Sequence, residues 1–66
     1  MTLNQVRKKY GAAPEIAKAL GFTKACIYGW IKKRYVPYES QLIIELHCNG
    51  ELKANRKHDP KKVGKL

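Results

Sequence analysis

Apolar residues recur at spacings of three and four along most of the 66-residue chain, which is the period of an amphipathic α-helix. In the first such segment, Leu3, Val6 and Tyr10 fall on one face. Thr2 directly precedes this segment as an N-cap, and Gly11 follows it as a stop. The pattern therefore predicts a first helix between these two residues.

Two further helices are predicted on either side of Gly21. Pro14 suits the first turn of the earlier helix, because its missing N–H costs no hydrogen bond there. Gly21 ends that helix readily, since glycine adopts a left-handed backbone conformation without a side-chain clash. Thr23 is a good N-cap for the later helix, which runs from Lys24 to about Lys33. The core that the two helices are expected to share consists of Ile16, Leu20, Phe22, Ile27 and Trp30.

Two short helices joined by so tight a turn predict a helix-turn-helix, whose second helix can lie in the major groove of DNA. Ala17 is small at the place where the two helices approach closely. The chain also carries 14 Lys and Arg against 5 Asp and Glu, a formal net charge of +9. Such an excess indicates a polyanionic partner, with nucleic acid first and an anionic membrane surface second. The alternative is an ordinary helical hairpin in a small bundle that binds protein.

Other classes of protein find less support in the composition. No stretch reaches the ~18 apolar residues that a membrane span needs, and the first residues lack the apolar centre of a signal peptide. Cys26 and Cys48 are too few for a disulfide scaffold, which favours a reducing cytoplasm. Together with His47 and His58 they match no zinc spacing, and no catalytic constellation is present. We therefore expect no metal, no cofactor, no small-molecule substrate and no enzymatic activity.

A fourth helix is predicted by Pro37 at its start, Glu39 in its first turn and a stop at Gly50. The segment "QLIIELHC" inside it is also compatible with a strand. After Asn55 the chain becomes "RKHDPKKVGKL", which is basic and has almost no apolar residues. We expect a flexible arm over residues 56–66, beyond a folded DNA-binding domain over residues 1–55. Such an arm either adds non-specific DNA affinity or keeps the protein soluble.

The apolar residues of the fourth helix are more than one core can cover. At ~100° per residue they divide between two faces, with Leu42, Ile43 and Leu46 on one and Ile44 and Cys48 on the other. We expect the first face to join the core and a weak homodimer, formed on DNA, to bury the second. The predicted dimer interface comprises Ile44, Cys48 and, with a lower rank, Leu52. The alternative is a slightly bent helix whose whole apolar set is covered by the first helix and the C-terminal segment.

The segment "YGAAPEIAKALGFTKACIYGW", followed by "VPYESQLIIELHCNGELK", resembles the Cro-like repressors of bacteriophages and prophages, in particular their helical branch. The resemblance covers about residues 1 to 54. It implies a compact, lambda-repressor-like domain of about five short helices that binds a near-palindromic DNA operator as a dimer and blocks transcription. The implied setting is the cytoplasm of a bacterial host cell. A DNA-binding antitoxin would share this domain and is the alternative.

Base contacts are predicted on the outer face of the third helix. If Ile27 and Trp30 face the core, that outer face consists of Lys24, Ala25, Tyr28, Gly29 and Lys32. These are the positions that meet bases in the family that the chain resembles. Gly29 is unexpected, because a glycine inside a helix costs about 1 kcal/mol relative to alanine. Close approach to the DNA backbone or to a neighbouring helix would explain it.

Phosphate contacts are predicted around the same helix. Free N–H groups and the helix dipole attract anions at helix N-termini, and basic side chains add charge at the end of the third helix. The predicted phosphate contacts are Ala12, Ala13, Thr23, Lys33, Arg34 and Tyr38. Such contacts position a protein on DNA without reading its sequence. The alternative for Lys32, Lys33 and Arg34 is a solvated basic helix end.

Overall fold

The computed structural model describes residues 1–63, which are all-α and contain no strand. Four helices of eight to ten residues make up most of this range: α1 Leu3–Tyr10, α2 Ala13–Leu20, α3 Lys24–Lys33 and α4 Tyr38–His47. A 3₁₀ turn at Arg56–His58 and a single helical turn, α5 at Pro60–Val63, follow them. The all-α prediction is confirmed, and the strand alternative for the fourth element is excluded.

Local capping interactions fix the starts of α1 and α3 at the predicted residues. The Thr2 Oγ1 accepts a hydrogen bond from the Gln5 N–H at 3.2 Å, while Gln5 Oε1 accepts one from the Thr2 N–H at 2.8 Å. At α3, the Thr23 Oγ1 accepts the N–H of Cys26 at 3.2 Å. Each bond satisfies an N–H that the first helical turn leaves without a partner.

The turn between α2 and α3 depends on the backbone of Gly21. This residue adopts φ 77° and ψ 18°, a left-handed conformation that strains a residue with a side chain. The N–H groups of Gly21 and Phe22 both donate to the Ala17 carbonyl oxygen, at 2.9 and 3.0 Å. The Phe22 ring then packs edge-on against Trp30, with the ring centroids 5.3 Å apart. The chain therefore reverses sharply between the two helices, as the sequence predicts.

The core lies where α1, α2, α3 and α4 meet. Its buried apolar residues are Met1, Val6, Ala13, Ile16, Ala17, Ile27, Trp30, Val36 and Ile44. Leu20 and Phe22, which were expected in the core, are partly buried against it. Met1 and Val36 belong to no helix, and the helical pattern did not predict their burial.

The apolar face that α4 turns inward is the opposite of the predicted one. Ile44 is fully buried in the core, and Cys48 and Leu52 are partly buried against it. Ile44 is therefore not available to the dimer interface expected for it, and Cys48 and Leu52 are only partly exposed. The large apolar residues left exposed are Leu42, Ile43 and Leu46, at 42%, 47% and 80%. The apolar residues of α4 do lie on two faces, as predicted. The face that turns inward is the one with Ile44, and it also carries a buried polar residue.

That polar residue is Gln41, whose side chain is fully buried. Its Oε1 accepts hydrogen bonds from the Met1 amino group at 2.9 Å and from the Asn55 N–H at 2.8 Å. Its Nε2 donates to the Val36 carbonyl oxygen at 2.8 Å. One side chain thus joins the start of the chain, the segment before α4 and the segment after it. Burial lowers the pKa of the Met1 amino group below its ordinary value.

Part of the segment after residue 55 contacts the start of α4, where the Arg56 guanidinium lies 5.4 Å from the centre of the Tyr38 ring. The Asp59 side chain is buried, and its Oδ2 accepts the Tyr38 N–H at 2.8 Å while its Oδ1 accepts the Lys61 N–H at 3.0 Å. A carboxylate at the N-terminus of α4 interacts favourably with the helix dipole. The boundary at residue 55 and the flexible arm over residues 56–66 stay predictions, and residues 64–66 of that arm lie outside the described residues.

Replacing Gln41 with leucine should lower the free energy of unfolding by about 3 kcal/mol at nearly constant side-chain volume. The Val36 carbonyl oxygen and the Asn55 N–H lose the partner that Gln41 provides, and the Met1 amino group keeps only its hydrogen bond to the Lys53 carbonyl oxygen. Urea denaturation measures this change. The matched control is the reverse substitution at the neighbouring exposed position, Leu42→Gln, which we expect to stay within about 0.5 kcal/mol of the wild type. Equal losses in the two variants would contradict the role given to Gln41.

Candidate nucleic-acid interface

The side of α3 that faces away from the core is open to solvent. Ile27 and Trp30 lie in the core, as predicted, so the opposite side of the helix is accessible. Of the predicted base-contact residues, Lys24, Ala25, Tyr28 and Lys32 are exposed, and Gly29 is partly exposed. The structure therefore places all of these residues on one open face of a ten-residue helix. We call this surface, made of residues 24, 25, 28, 29 and 32, the α3 outer face.

Basic residues predominate in the chain segment that contains the α3 outer face. Between Glu15 and Glu39 the chain carries no acidic residue, and its basic residues there are Lys18, Lys24, Lys32, Lys33 and Arg34. Within the described part of the chain, none of these five side chains forms an ion pair. The segment therefore carries an excess of positive charge that attracts anions from solution, although Glu15, at the start of α2, lines one cleft together with Lys18 and Lys24.

The acidic residues outside this segment are engaged elsewhere in the fold. Glu45 Oε1 accepts the Ala54 N–H at 2.7 Å, and Glu51 Oε2 pairs with Lys9 Nζ at 2.7 Å. The hydrogen bond that Lys9 donates to Glu51 raises the pKa of Lys9. The Glu45 carboxylate, which belongs to α4, and the Glu51 carboxylate, which belongs to the segment after it, are thus engaged in contacts within the fold.

Gly29 meets no neighbour that would require a glycine. A Cβ built on this residue has no heavy atom within 4 Å, leaving aside the helix's own nearby backbone. Its φ is not among the positive values found at Gly11, Gly21 and Gly50. Close packing against a neighbouring helix, one of the two explanations considered above, is therefore excluded. The space beside Gly29 is open to whatever docks on the α3 outer face.

Two of the predicted phosphate-binding N-termini already hold a carboxylate. The Ala12 N–H donates to Glu15 Oε1 at 3.0 Å, and the Tyr38 N–H donates to Asp59 Oδ2 at 2.8 Å. These two N–H groups are not the free donors that were expected, and each carboxylate repels a phosphate. Ala13 is only 5% exposed and belongs to the core. The expected anion sites at the starts of α2 and α4 are therefore occupied by the protein itself.

The other predicted phosphate contacts lie at the two ends of α3. Thr23 is exposed at the start of the helix, and Lys33 and Arg34 are exposed at its end. Arg34 ends the helix with φ 69° and ψ 24°, and its N–H donates to the Trp30 carbonyl oxygen at 2.7 Å. Arg34 also lines a cleft with Arg7 of α1, a residue that the helical pattern alone did not single out.

Three other kinds of feature are relevant within the described residues: a metal site, a disulfide bond and a membrane-spanning helix. No group of three His, Cys, Asp or Glu side chains among them is arranged to hold a metal ion. Cys26 and Cys48 are free thiols, and the His47 Nδ1 is 2.9 Å from the Tyr10 hydroxyl. No helix within residues 1–63 has both the length and the apolar character that crossing a membrane requires.

Comparison with known proteins adds no further assignment. The chain was compared with protein-family models, with curated protein sequences and with solved structures, and no match was found. The α3 outer face and the basic residues around it are therefore the features that bear on function.

Replacing Gly29 with alanine should raise the free energy of unfolding by roughly 0.5–1 kcal/mol, because alanine has the higher helix propensity and its methyl group meets open space. Thermal or urea denaturation measures the change. The opposite substitution on the same face, Ala25→Gly, is the matched control and should lower the free energy of unfolding by a similar amount. A destabilised Gly29→Ala variant would show that the glycine has a structural role inside the monomer.

Proposed function

We propose that the protein is a sequence-specific, DNA-binding transcriptional repressor of the Cro-like type, with a lambda-repressor-like domain. In this proposal α2, the turn at residues 21–23 and α3 form a helix-turn-helix, and α3 enters the major groove of an operator. The observation that carries the proposal is the solvent-open α3 outer face within a basic segment that contains no acidic residue. The activity is binding alone, without a cofactor or a catalytic step.

The side chains of the α3 outer face suit the edges of base pairs. Lys24, in the first turn of α3, can donate to the O6 and N7 atoms of guanine, and the Ala25 methyl group can contact the methyl group of thymine. Tyr28 is 54% exposed, so its hydroxyl is free to donate or accept in the groove. Lys32 lies two turns beyond Lys24 on the same face. Thr23, Lys33 and Arg34 flank this face and are proposed to contact phosphates.

The exposed apolar face of α4 supports a weak homodimer, which is proposed to form on DNA. Leu42, Ile43 and Leu46 replace the residues first expected at this interface, because Ile44 is buried inside the monomer. A second copy of the chain presents the same face, so the contact closes with two-fold symmetry and suits a near-palindromic operator. Two molecules of charge +9 repel each other, and DNA phosphates reduce this repulsion.

The same apolar face favours one second candidate, a DNA-binding antitoxin-type regulator. Such a protein would use the α3 outer face on DNA and the apolar side of α4 on a different protein. A module that binds only protein is the remaining alternative, and it predicts no salt-dependent affinity for duplex DNA. The two proposals share α3 and differ in what covers Leu42, Ile43 and Leu46.

Selection of bound duplexes from a random pool is the experiment that tests the function. We expect recovery of a near-palindromic sequence, and an affinity for it that falls steeply with salt, by about 0.9 in the logarithmic slope for each phosphate contacted. An affinity that stays constant over a fourfold rise in salt would rule out the repressor and the antitoxin alike, and leave the protein-binding module.

Two lysine variants provide the matched comparison within this experiment. Lys24→Ala should weaken binding to the selected operator by about 10-fold or more while affecting random duplex little, because a specific base contact contributes ~1–3 kcal/mol. Lys33→Ala removes the same charge just beyond the α3 outer face and should weaken both duplexes alike. Equal losses on operator and random DNA for both variants would contradict the placement of Lys24 in the groove.

The dimer is tested by sedimentation of the protein free and with a duplex that carries two half-sites. Leu46→Asp should reduce the loading of the second copy, because Leu46 is 80% exposed and its replacement leaves the core intact. Ala19→Asp, at an exposed position of α2, is the control for the added charge. If Leu46→Asp loads two copies as tightly as the wild type, the apolar face of α4 is not the interface.

A further inference from the structure

A cleft of about 330 Å³ lies between α1 and the end of α3. Its lining residues are Thr2, Leu3, Asn4, Arg7, Ile31 and Arg34. The two charged members are both arginines, and no acidic residue belongs to the set. We call this the Arg7–Arg34 cleft. It adjoins the α3 outer face, because Arg34 directly follows the last residue of α3.

Neither arginine has a counter-ion within the described part of the chain. The ion pair formed on α1 uses Lys9 and Glu51, which lie away from the cleft lining. Two guanidinium groups that line one cleft repel each other unless an anion lies between them. A planar guanidinium donates two parallel hydrogen bonds to a phosphate, so a phosphodiester group is the anion whose chemistry suits a cleft lined by two arginines.

The backbone of Arg34 gives an independent reason to assign a role to its side chain. Arg34 ends α3 with φ 69°, and Gly21 ends α2 with φ 77°. The ends of α2 and α3 therefore have closely similar left-handed backbone geometry. Glycine, the residue that adopts this geometry most readily, is present only at the end of α2. At the other end an arginine is held in a conformation that disfavours it. Unlike glycine, Arg34 contributes a side chain to the lining of the Arg7–Arg34 cleft.

We infer that Arg7 and Arg34 together bind one phosphate of the DNA backbone, so that α1 forms part of the DNA interface. This inference rests on the proposed function and adds an anion site that fixes the C-terminal end of α3 on the duplex. Lys24 lies nine residues before Lys33, which corresponds to about 13 Å along a helix. A phosphate held at Arg34 therefore orients the helix axis while Lys24 reads a base at the other end.

Titration with one duplex at several salt concentrations tests the site. Arg7→Gln removes one guanidinium and should lower the affinity by about fivefold near 0.15 M salt and reduce the logarithmic salt slope by about 0.9, which corresponds to one phosphate contact. Arg34→Gly should do the same and in addition raise the melting temperature, because glycine relieves the backbone strain. The double variant should lose one phosphate contact in total, since both side chains bind the same group.

Two further variants separate the site from general charge effects. Lys57→Gln removes an exposed positive charge on the 3₁₀ turn and should leave the slope within about 0.3 of the wild type. Arg34→Lys keeps the charge without the planar fork, so it should retain most of the slope and lose part of the affinity. Melting curves for every variant establish that each one is folded before its DNA affinity is compared.

The outcomes distinguish this site from the function on which it depends. If the wild type shows no salt-dependent duplex binding, the proposed function fails and the site fails with it. If the wild type binds duplex DNA but Arg7→Gln keeps the wild-type slope, the Arg7–Arg34 site is wrong and the repressor proposal stands. A double variant that loses two phosphate contacts would likewise overturn the shared site, because each arginine would then bind its own phosphate.

Discussion

The fold depends on the buried side chain of Gln41, which decides how α4 is rotated. Hydrophobic burial alone favours turning Leu42, Ile43 and Leu46 inward, since each large aliphatic side chain gains roughly 1.5–3 kcal/mol on full burial. The observed inward face offers only Ile44 and the smaller Cys48. The three hydrogen bonds of Gln41 offset this difference, because they satisfy its own buried amide and pair it with the Met1 amino group, the Val36 carbonyl oxygen and the Asn55 N–H.

The same hydrogen bonds determine which parts of the chain meet. The Gln41 amide forms hydrogen bonds with Met1, Val36 and Asn55, which are far apart in sequence. Because hydrogen bonds are directional, few arrangements of these three segments satisfy all of them. Nine buried apolar residues supply the core of this small domain, and such a core specifies orientation weakly by itself. The rotation of α4 in turn exposes the apolar face that the proposed dimer uses.

Helix dipoles and carboxylates divide the surface into two electrostatic regions. Glu15 occupies the N-terminus of α2 and Asp59 that of α4, so neither end is open to an external anion. The N-terminus of α3 is capped by the neutral hydroxyl of Thr23. A polyanion is therefore favoured at the start of α3 and disfavoured at the starts of α2 and α4. The net positive charge is thus distributed unevenly over the surface.

Sequence reasoning succeeded where the determining contacts are local. Thr2, Gly21 and Thr23 fix helix ends through bonds within a few residues, and the α3 outer face follows from helical periodicity. It failed where the partner is distant, as with Gln41 and with Asp59, which lies 21 residues from the N–H it accepts. An apolar pattern divides a helix into faces but does not say which one turns inward.

The sequence did contain a local indication that the N-terminus of α2 is not a free phosphate site. Glu15 stands three residues after Ala12, which is the spacing at which a carboxylate returns to the N-cap N–H. The position therefore indicated a capped N-terminus at α2. The Arg7–Arg34 cleft had no such signal, because it exists only through the packing of α1 beside the end of α3.

The element proposed to bind DNA is also the one that departs most from local preference. Gly29 lowers the helix propensity of α3 with no neighbour to require it, and Arg34 ends the helix in a conformation that favours glycine. Each departure costs on the order of 1 kcal/mol, a substantial part of the stability of so short a chain. Natural sequences break such rules mainly at functional sites. Gly29 belongs to the α3 outer face and Arg34 directly follows α3, so both departures lie at the surface that is proposed to bind DNA.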